Sequence, residues 1–477
     1  METPQVVATE STLSFDDCKS RLWPAFEQRH GDERILQPAT DEETIELRGL
    51  WHRGSPLCIL LPGHEWVYVV VEIVSTTEQR KRILFVAENA TMAQVVRLVV
   101  LARGLDPVRY EVHFACAGFE PLLFAGTSFA QHDIFSLPRA VVERASAKGK
   151  PIYSTAVLER YVDQELALFA RVKPAAVVGD FRLSLSTSTA LARIPFAMLI
   201  NAYWSPHAVR ETFPVPDHPM VRLVGEKMAA KFFPRVMPKV FAAFAKPINT
   251  VRKRHGLPAI GSLLEVLTHG DRTLFPDTPS LVPTAGAPPT HVYLGPVLWS
   301  PEVPLPDWWS SIPNAKPTVY VTMGSSGKHD RLPIVLGALA KLDVSVLLST
   351  AGRDLPRDLP PNVFAAKYLP GDRAAARSAV VISNGGSTTG YQALASGVPV
   401  LGIASNLDQF LAMTAIAASG AGILLRAGSL KEASVRDAAL RILSAPAFAQ
   451  AARTVADDFA RHDSARQFES QISELVA

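Results

Sequence analysis

The sequence has few cysteines and no apolar run long enough to cross a membrane. Its three cysteines are far apart, and no two of them have the spacing of a metal-ligand pair. This argues against a disulfide framework or a zinc site and fits a reducing compartment, so we expect a cytoplasmic protein. His64 and Glu65 interrupt the most apolar window, 55–74. We therefore expect no transmembrane segment, while peripheral membrane contact stays open.

An excess of charge of one sign is lacking as well. The 48 basic and 45 acidic residues are mixed along the chain, and no polybasic segment favours nucleic acid as a partner. The start, METPQVVATE, has neither the basic nor the apolar region of a secretory signal, so we expect none. With 477 residues, of which 48% are hydrophobic, the chain is long enough for two or three globular domains.

Residues 1–80 differ from the rest of the chain and carry no recognisable chemistry. The beginning is polar, with a short helix predicted over 15–29. Two apolar runs follow, 57–61 and 66–74, and the second is rich in residues that favour strands. We interpret 1–80 as an N-terminal extension of unknown role.

From residue 82 onward the pattern alternates between buried strands and amphipathic helices. RILFVA at 82–87 predicts a strand, and after a polar loop Thr91 can cap a helix that ends at Gly104. Later runs repeat the pattern, and the chain ends in a helical segment. The further strands are predicted over 110–116, 175–178, 195–200, 318–323, 344–349, 380–383 and 398–403, and the terminal helical segment over 444–476.

A segment rich in proline and tryptophan divides this pattern into two halves. It covers 295–317, where proline removes backbone donors and disfavours regular elements. We place a linker at 301–316, between one Rossmann-like domain at 81–300 and a second at 317–477. The predicted fold class is α/β, with two doubly wound parallel sheets that face a central cleft. In such sheets ligands bind beyond the carboxyl ends of the strands.

The sharpest local motif is VVISNGGSTTGYQAL at 380–394, in which a buried strand runs into Asn-Gly-Gly-Ser-Thr-Thr at 384–389. Glycine lets the backbone approach a ligand closely, and the start of a helix offers unpaired N–H groups and positive dipole charge. Three hydroxyl groups add donors, so the turn suits a diphosphate. The alternative is an ordinary glycine-rich turn between a strand and a helix.

This segment resembles the donor-site signature of family 1 glycosyltransferases of the bacterial type, which belong to the UDP-glycosyltransferase superfamily. The fold that the resemblance implies is GT-B, with two Rossmann-like halves. The opening RILFVAENATMAQ at 82–94 also resembles that family's first strand and loop, and the resemblance covers 81–477. The landmarks, in the family's order, are VTMGSSG (321–327), KYLPG (367–371), SNGGSTTGYQAL (383–394), SGVPVLGI (396–403) and NLDQ (406–409).

The resemblance implies a donor site whose residues divide by the part of the nucleotide sugar that they meet. They are Tyr368 for the base, Ser325 and Ser326 with Asn384, Gly386, Ser387, Thr388 and Thr389 for the diphosphate, Gln392 for the ribose, and Asp408 with Gln409 for the sugar hydroxyls. The alternative for Tyr368 is a packing tyrosine. The alternative for the Asp408–Gln409 pair is a helix cap after a loop.

Two positions depart from the family pattern. Asn384 stands where many members have histidine, and an amide contributes less to phosphate binding than a cation does. Gln392 replaces a glutamate and offers no carboxylate to the ribose. No two aspartates are separated by a single residue, so the metal-binding DxD pattern is absent. We therefore expect metal-independent chemistry without a cofactor, and a UDP- or dTDP-sugar as co-substrate.

The general base is the open question of the acceptor half. Inverting transfer requires a group that takes the acceptor's proton, and the family uses a histidine in the first loop, oriented by an aspartate. Gln94 stands where that histidine would align, and Asp180 matches the aspartate. Three explanations compete: Asp180 or Glu88 acts directly with a raised pKa, His207 substitutes, or the protein binds sugar nucleotides without efficient transfer.

The stretch from NAYWSP at 201–206 to residue 253 is rich in large apolar side chains. They could line an apolar acceptor pocket or pack as amphipathic helices on the sheet. The residues concerned are Phe213, Phe232, Phe233, Met237, Phe241 and Phe244.

The sequence thus predicts an inverting hexosyltransferase that moves a sugar to a hydroxyl of a lipophilic small molecule, as in natural product glycosylation. The alternative is a catalytically impaired homologue that binds sugar nucleotides and serves a partner enzyme. A sugar-nucleotide epimerase on the same fold is the third interpretation.

Overall fold

The computed structural model describes residues 10–12, 57–59, 67–69, 80–147, 151–217, 221 and 225–477. The chain forms two compact units, Met1–Gln79 and Arg80–Ala477. The first unit contains an antiparallel sheet of three short strands, β1 (Glu10–Thr12), β2 (Leu57–Ile59) and β3 (Val67–Val69), with β3 in the centre. Parts of the predicted runs 57–61 and 66–74 are therefore strands, while the helix predicted over 15–29 lies outside the described residues.

The second unit begins with a sheet of seven parallel strands. They are β4 (Lys81–Ala87), β5 (Tyr110–Cys116), β6 (Ala130–Asp133), β7 (Ala176–Asp180), β8 (Phe196–Leu199), β9 (Arg272–Phe275) and β10 (His291–Tyr293), in the order β10-β9-β8-β7-β4-β5-β6. The helices of this half are α1 (Met92–Arg103), α2 (Pro121–Phe124), α3 (Arg139–Ala147), α4 (Thr155–Val172), α5 (Leu185–Ala192), α6 (Glu226–Arg254) and α7 (Leu263–Leu267).

A second parallel sheet of six strands follows. They are β11 (Thr318–Thr322), β12 (Ser345–Ser349), β13 (Val363–Ala366), β14 (Val380–Ser383), β15 (Val400–Ala404) and β16 (Gly422–Arg426), in the order β13-β12-β11-β14-β15-β16. The helices of this half are α8 (Leu332–Leu339), α9 (Gly371–Ala376), α10 (Ser387–Ala395), α11 (Leu407–Ala418), α12 (Glu432–Ser444), α13 (Pro446–Phe459) and α14 (Ser464–Leu475). The predicted fold class, two parallel sheets with helices, is confirmed.

The register of both sheets brings the chemically interesting loops together. Ala87 at the end of β4 pairs with Asp180 at the end of β7, so Glu88 follows directly beside Asp180. In the second sheet, Thr322 at the end of β11 pairs with Ser383 at the end of β14. Both glycine-rich loops of the second half therefore leave the same edge, because parallel strands end on the same side of a sheet.

The terminal helical segment returns to the first half. The ring of Phe468 on α14 packs against Phe85 of β4, with centroids 5.9 Å apart. A side chain at Gly104 would meet the Cβ of Ala465 at 2.7 Å, so glycine permits this close approach. Gly104 has φ −80°, which means that it ends α1 without the left-handed cap expected of a helix-terminal glycine. Helix α14 thus ties the end of the chain to the first sheet.

Helix α6 is the longest described helix of the unit, with 29 residues. It contains Pro234, Pro238 and Pro247, each of which lacks the N–H that a helix interior uses. Packing supports it nonetheless, because one face buries Met237 and Phe241 in the core of the first half. No described helix has the length and hydropathy that a bilayer span requires.

Candidate active site

A cleft of about 1200 Å³ lies where the carboxyl ends of the two sheets face each other. All of the predicted donor-site residues line it, from Ser325 to Gln409, and Gln94 lines the opposite wall. Glu88, Asp180 and His207 are not among the residues that line this cleft. The sequence motifs therefore converge on one cavity, while the predicted carboxylates lie behind its wall.

The turn between β14 and α10 is built by glycine. Gly385 has φ +77°, and the Met413 side chain lies 2.7 Å from where its Cβ would be. Gly386 is the N-cap of α10 and supplies no side-chain cap, so the first amides of the helix keep their hydrogen-bonding capacity. The Thr388 hydroxyl oxygen is buried without a partner in the cleft wall. These are the donors that an anion at the helix start would use.

Asn384 connects the two glycine-rich loops of the second half. Its Oδ1 accepts a hydrogen bond from the Gly386 amide at 3.2 Å. Its Nδ2 donates to the hydroxyl of Ser326 at 3.2 Å. Asn384, which stands where many family members have histidine, therefore fixes the shape of the turn before α10.

The loop after β11 lies against the first half of the protein. The amide of Met92, at the start of α1, donates to the Ser325 hydroxyl at 3.4 Å. His329 Nε2 lies 2.9 Å from the Gly324 carbonyl oxygen, and burial lowers the pKa of this histidine. Lys328 and His329 both line the cleft, so this loop brings basic groups that the sequence analysis did not consider.

The predicted nucleoside end of the cleft is packed tightly. The hydroxyl of Tyr368 lies 2.3 Å from the position that a Cβ at Gly352 would take, and Gly352 has φ +86°. Gln392 Nε2 donates to the Trp299 carbonyl at 2.7 Å. One of the two amide hydrogens of Gln392 is thus used, and its carbonyl oxygen could accept a hydrogen bond from a ribose hydroxyl.

The Asp408–Gln409 pair was predicted either to contact the sugar hydroxyls or to cap a helix, and the two side chains differ in this respect. Asn406, rather than Asp408, caps α11, and Gln409 completes the capping box by accepting at Oε1 from the backbone of Ser405 and Asn406. The Gln409 side-chain nitrogen is buried without a partner. Asp408 accepts hydrogen bonds from the Trp204 indole at 2.8 Å and from the Tyr203 hydroxyl at 3.1 Å.

Asp180 forms a buried pair with Arg97 of α1. Arg97 Nε and Nη2 donate to the two carboxylate oxygens at 2.9 and 2.8 Å. Burial raises the pKa of Asp180 to about 6, although the arginine opposes this shift. Arg97 itself lines the cleft. The aspartate that would orient a histidine in the resembled family therefore holds a guanidinium here.

Glu88 lies in a second buried network. Tyr161 donates to its Oε1 at 3.2 Å, while its Oε2 is 3.8 Å from Arg182 and has no hydrogen-bond partner. Burial raises the pKa of Glu88 to about 7, and Arg182 and the hydroxyls of Tyr161 and Tyr153 counteract this effect. The Tyr153 hydroxyl has no partner of normal geometry, yet Tyr153 lines the cleft. A carboxyl that titrates near neutrality thus lies one side chain behind the cleft wall.

Gln94 acts in the structure as a helix-capping residue. Its Oε1 accepts from the Thr91 amide at 3.0 Å, which completes the capping box of α1. His207 lies away from the cleft, with its ring 5.7 Å from that of His291. Gln94 therefore lines the cleft with its side-chain oxygen engaged in the cap, whereas His207 does not line the cleft.

The apolar side chains near α6 lie both at the cleft and against the core of the first half. Phe232, Phe233, Met237, Phe241 and Phe244 line the cleft. Most of them also pack on the core of the first half, so packing and pocket formation are not exclusive alternatives. Phe213 packs against Phe241, with centroids 5.0 Å apart, and does not line the cleft.

The sequence analysis missed Arg97, Tyr153 and a polar bridge beneath the cleft. Arg97 also donates to Asn201 Oδ1 at 2.5 Å, and Asn201 Nδ2 donates to Asp277 Oδ1 at 2.8 Å. Tyr391 of the second half donates to the same Asp277 oxygen. The available signal was one arginine within the apolar pattern of α1, which indicates a buried partner.

Metal ligands do not cluster in the part of the chain that the structure describes. There, no three histidine, cysteine, aspartate or glutamate side chains are grouped so that they could hold a metal ion.

Comparison with known proteins gives consistent similarities. Residues 333–475 match the family described as erythromycin biosynthesis protein CIII-like, C-terminal domain. A PGL/p-HBAD biosynthesis glycosyltransferase of Mycobacterium tuberculosis is 48% identical over 382 residues, which are 80% of this chain and 89% of that protein. A PGL/p-HBAD biosynthesis rhamnosyltransferase of Mycobacterium bovis is 47% identical over 384 residues, 80% of this chain and 85% of that protein.

Not every similar protein is described as active. An inactive PGL/p-HBAD biosynthesis glycosyltransferase of Mycobacterium bovis is 46% identical over 264 residues, 55% of this chain and 72% of that protein.

Among solved structures, spinosyn forosaminyltransferase SpnP has a TM-score of 0.62 at 20% identity, and the match covers 83% of this chain and 99% of that chain. Spinosyn rhamnosyltransferase SpnG complexed with thymidine diphosphate has a TM-score of 0.58 at 19% identity, covering 82% and 99%.

Proposed function

We propose that this chain, which belongs to the family 1 glycosyltransferases of the GT-B fold, moves a sugar from a UDP- or dTDP-sugar to a hydroxyl of a lipophilic small molecule. The proposed transfer inverts the anomeric carbon and needs no metal ion. One observation carries the proposal: a single cleft combines the glycine-rich start of α10 with the apolar wall of α6. A polar site for a nucleotide and an apolar site for an acceptor thus share one cavity.

In this proposal the diphosphate binds at the start of α10. The first amides of the helix and its dipole favour negative charge, and the unpartnered Thr388 hydroxyl donates to a phosphate oxygen. The same donors stabilise the charge that builds on the leaving diphosphate as its bond to the sugar breaks. Lys328 lines the cleft on the neighbouring loop and supplies the positive charge that Asn384 lacks.

The sugar in this proposal lies between Asp408 and the apolar wall. A carboxylate accepts hydrogen bonds from sugar hydroxyls, and the unpartnered side-chain nitrogen of Gln409 donates to them. Tyr368 stacks on the base, and the carbonyl oxygen of Gln392 accepts from the ribose. The cleft lining supports these assignments, because all four residues face the same cavity.

Glu88 is our candidate for the final proton acceptor, and Tyr153, which lies beside it without a hydrogen bond of normal geometry, relays the proton from the cleft. The acceptor hydroxyl gives its proton to the Tyr153 oxygen while the Tyr153 proton passes to Oε2 of Glu88. The acceptor oxygen then bonds to the anomeric carbon, and the nucleoside diphosphate leaves with the electrons of the broken bond. The unpartnered Oε2 and the pKa of about 7 for Glu88 support this assignment over Asp180, whose two oxygens are held by Arg97.

A second candidate function is binding without efficient transfer. Gln94, which replaces the family's histidine, is committed to capping α1, and one relative is described as inactive. Gln94→His distinguishes the two functions. If the native site lacks a base, the substitution should raise transfer strongly. If Glu88 and Tyr153 supply the base, it should leave transfer unchanged or lower it, because the α1 cap is lost.

The experiment that tests the main proposal measures donor cleavage by the purified full chain. The donors would be dTDP-rhamnose and UDP-glucose, with and without EDTA, and with alkylphenols and long-chain alcohols as acceptors. We expect release of nucleoside diphosphate that EDTA does not abolish, and a product whose anomeric configuration, read by NMR, is opposite to that of the donor. Nucleotide binding without cleavage for any acceptor would favour the second function. Retention of configuration would refute inversion.

A further inference from the structure

Three large apolar side chains on the N-terminal half of α6 face solvent. Met228 and Phe232 are each 52% exposed and Val236 is 47% exposed. Because they are four residues apart, they lie on one face of the helix. Large apolar residues grouped in this way mark a surface that binds something else, whereas single exposed ones need no explanation.

The same face is basic. Lys231, Arg235 and Lys239 are exposed and alternate with the apolar residues along the helix. From residue 228 to 254 the sequence has basic residues and no acidic one. A helix whose solvent-facing side combines basic and large apolar side chains is typical of peptides that lie in the surface of an anionic bilayer. We name these six residues, three apolar and three basic, the outer face of α6.

The outer face is continuous with the interior of the cleft. Met228, Phe232 and Val236 are exposed to solvent and also line the cleft, next to Phe233 and Met237. An apolar path therefore leads along α6 from the protein surface to the wall of the cleft. A molecule that is poorly soluble in water could follow this path without crossing the solvent.

We propose that the outer face of α6 docks on an anionic lipid bilayer, from which a lipophilic acceptor passes along the helix into the cleft. The opposite charges of the basic side chains and the lipid head groups bring the helix to the surface, and the apolar side chains insert between the lipids. The passage of the acceptor rests on the proposed function, whereas the docking does not.

Vesicle flotation with the purified full chain tests the docking. The vesicles are phosphatidylcholine alone and phosphatidylcholine with about one third phosphatidylglycerol. We expect binding to the anionic vesicles, weakened by added salt, and little binding to the neutral ones. Each lysine or arginine near such a surface contributes about a fivefold change in partitioning, so the combined variant Lys231→Gln, Arg235→Gln, Lys239→Gln should bind roughly a hundredfold more weakly.

Matched variants separate a specific surface from overall charge. Arg436→Gln, Arg453→Gln and Arg466→Gln together remove the same charge from one half-buried and two exposed positions on α12–α14, and this variant should bind vesicles like the wild type. Phe232→Ser should reduce binding at least tenfold because a buried phenyl group is lost from the lipid. Leu440→Ser, at a residue 45% exposed on α12, should not reduce it.

The inference is overturned if the wild type ignores anionic vesicles, or if the two triple variants bind equally. It is also overturned if the wild type binds no vesicles and light scattering shows that it forms a dimer which the triple variant of α6 does not form. The outer face of α6 would then join two copies of the chain. The affinities for thymidine diphosphate and for UDP, measured in parallel, keep the proposals apart. Vesicle binding without nucleotide binding contradicts the proposed function alone, and the reverse result contradicts the docking alone.

Discussion

The indole nitrogen of Trp204 donates a hydrogen bond to the Asp408 carboxylate at 2.8 Å, across the cleft between the two halves. The Tyr203 hydroxyl donates to the same oxygen at 3.1 Å. Trp204 follows the first sheet and Asp408 begins a helix of the second. Asp408, which we assign to the sugar, is therefore held in place by the first half, which we assign to the acceptor. Both halves thus set the position at which the two substrates meet.

Trp204→Phe should lower kcat/KM for sugar transfer about tenfold. The ring still fills its buried position, but Asp408 loses one of its two donors and is oriented less firmly, and a hydrogen bond to a charged group contributes about 1.5–3 kcal/mol. Affinity for thymidine diphosphate, which lacks the sugar, should stay unchanged in titration calorimetry. A loss of diphosphate affinity equal to the loss of kcat/KM would contradict a role of this contact at the sugar.

Thr388→Val should weaken the binding of thymidine diphosphate roughly 10- to 100-fold, because a hydrogen bond to a charged group is lost. It should not destabilise the protein, since the Thr388 hydroxyl oxygen has no partner to lose. Thr189→Val is the matched control. Its hydroxyl donates to the Leu185 carbonyl, so this variant should lose about 1 kcal/mol of stability and keep its nucleotide affinity. If Thr388→Val lost stability and Thr189→Val lost nucleotide affinity, Thr388 would not belong to the diphosphate site.

Transfer by the wild type should increase as pH rises through about 7. Glu88 accepts a proton only in its ionised form, and burial raises its pKa to about 7. Glu88→Gln should remove this rise and lower kcat by two or more orders of magnitude, in line with the usual contribution of a general base. Tyr153→Phe should also lower kcat, with KM for the donor little changed. A pH profile of Glu88→Gln that matches the wild type would exclude the relay.

The same carboxyl should make the protein less stable at alkaline pH. With a pKa of 4.5 when unfolded and about 7 when folded, Glu88 holds its proton more tightly in the folded protein. Its contribution to stability is therefore present below about pH 4.5 and is lost as pH rises to 7. We expect the free energy of unfolding to fall more between pH 5 and pH 8 in the wild type than in Glu88→Gln. Urea unfolding at the two pH values measures this difference. Parallel pH dependences of the two proteins would show that Glu88 does not titrate there.

Asp180→Asn should destabilise the protein by about 3–5 kcal/mol, because it leaves the buried Arg97 guanidinium without its counter-charge. Asp437→Asn, which breaks an exposed pair with Arg436, is the control and should change stability by less than about 1 kcal/mol. Urea unfolding measures both. If Asp180→Asn kept full stability and lost only activity, Asp180 would act on the substrate and not chiefly as the partner of Arg97.

Local patterns were sufficient for the fold. The strands at Tyr110–Cys116 and Val380–Ser383 have the predicted bounds, because an apolar run between polar breaks decides them locally. The extent of α6 was not predictable in the same way. Pro234 and Pro238 argue against a helix, and only packing against the core, which the sequence does not display, outweighs them.

In the candidate site, too, local motifs were predictable and contacts between distant residues were not. The diphosphate turn is a continuous motif, and every residue predicted for it lines the cleft. The environments of Asp180 and Glu88 depend on partners far along the chain, such as Arg97 and Arg182. Arg97 in the apolar pattern of α1 indicates a buried partner, but the sequence does not show that this partner is Asp180. Tyr153 was missed for the same reason, since only the folded chain brings it near Glu88.

The central claim is that the diphosphate of the donor rests on the start of α10. A crystal structure of the chain with thymidine diphosphate tests it most directly. We predict that the outer phosphate lies within hydrogen-bonding distance of the amides of Ser387, Thr388 and Thr389 and of the Thr388 hydroxyl. A nucleotide bound elsewhere in the cleft, with water alone at these amides, would contradict the account.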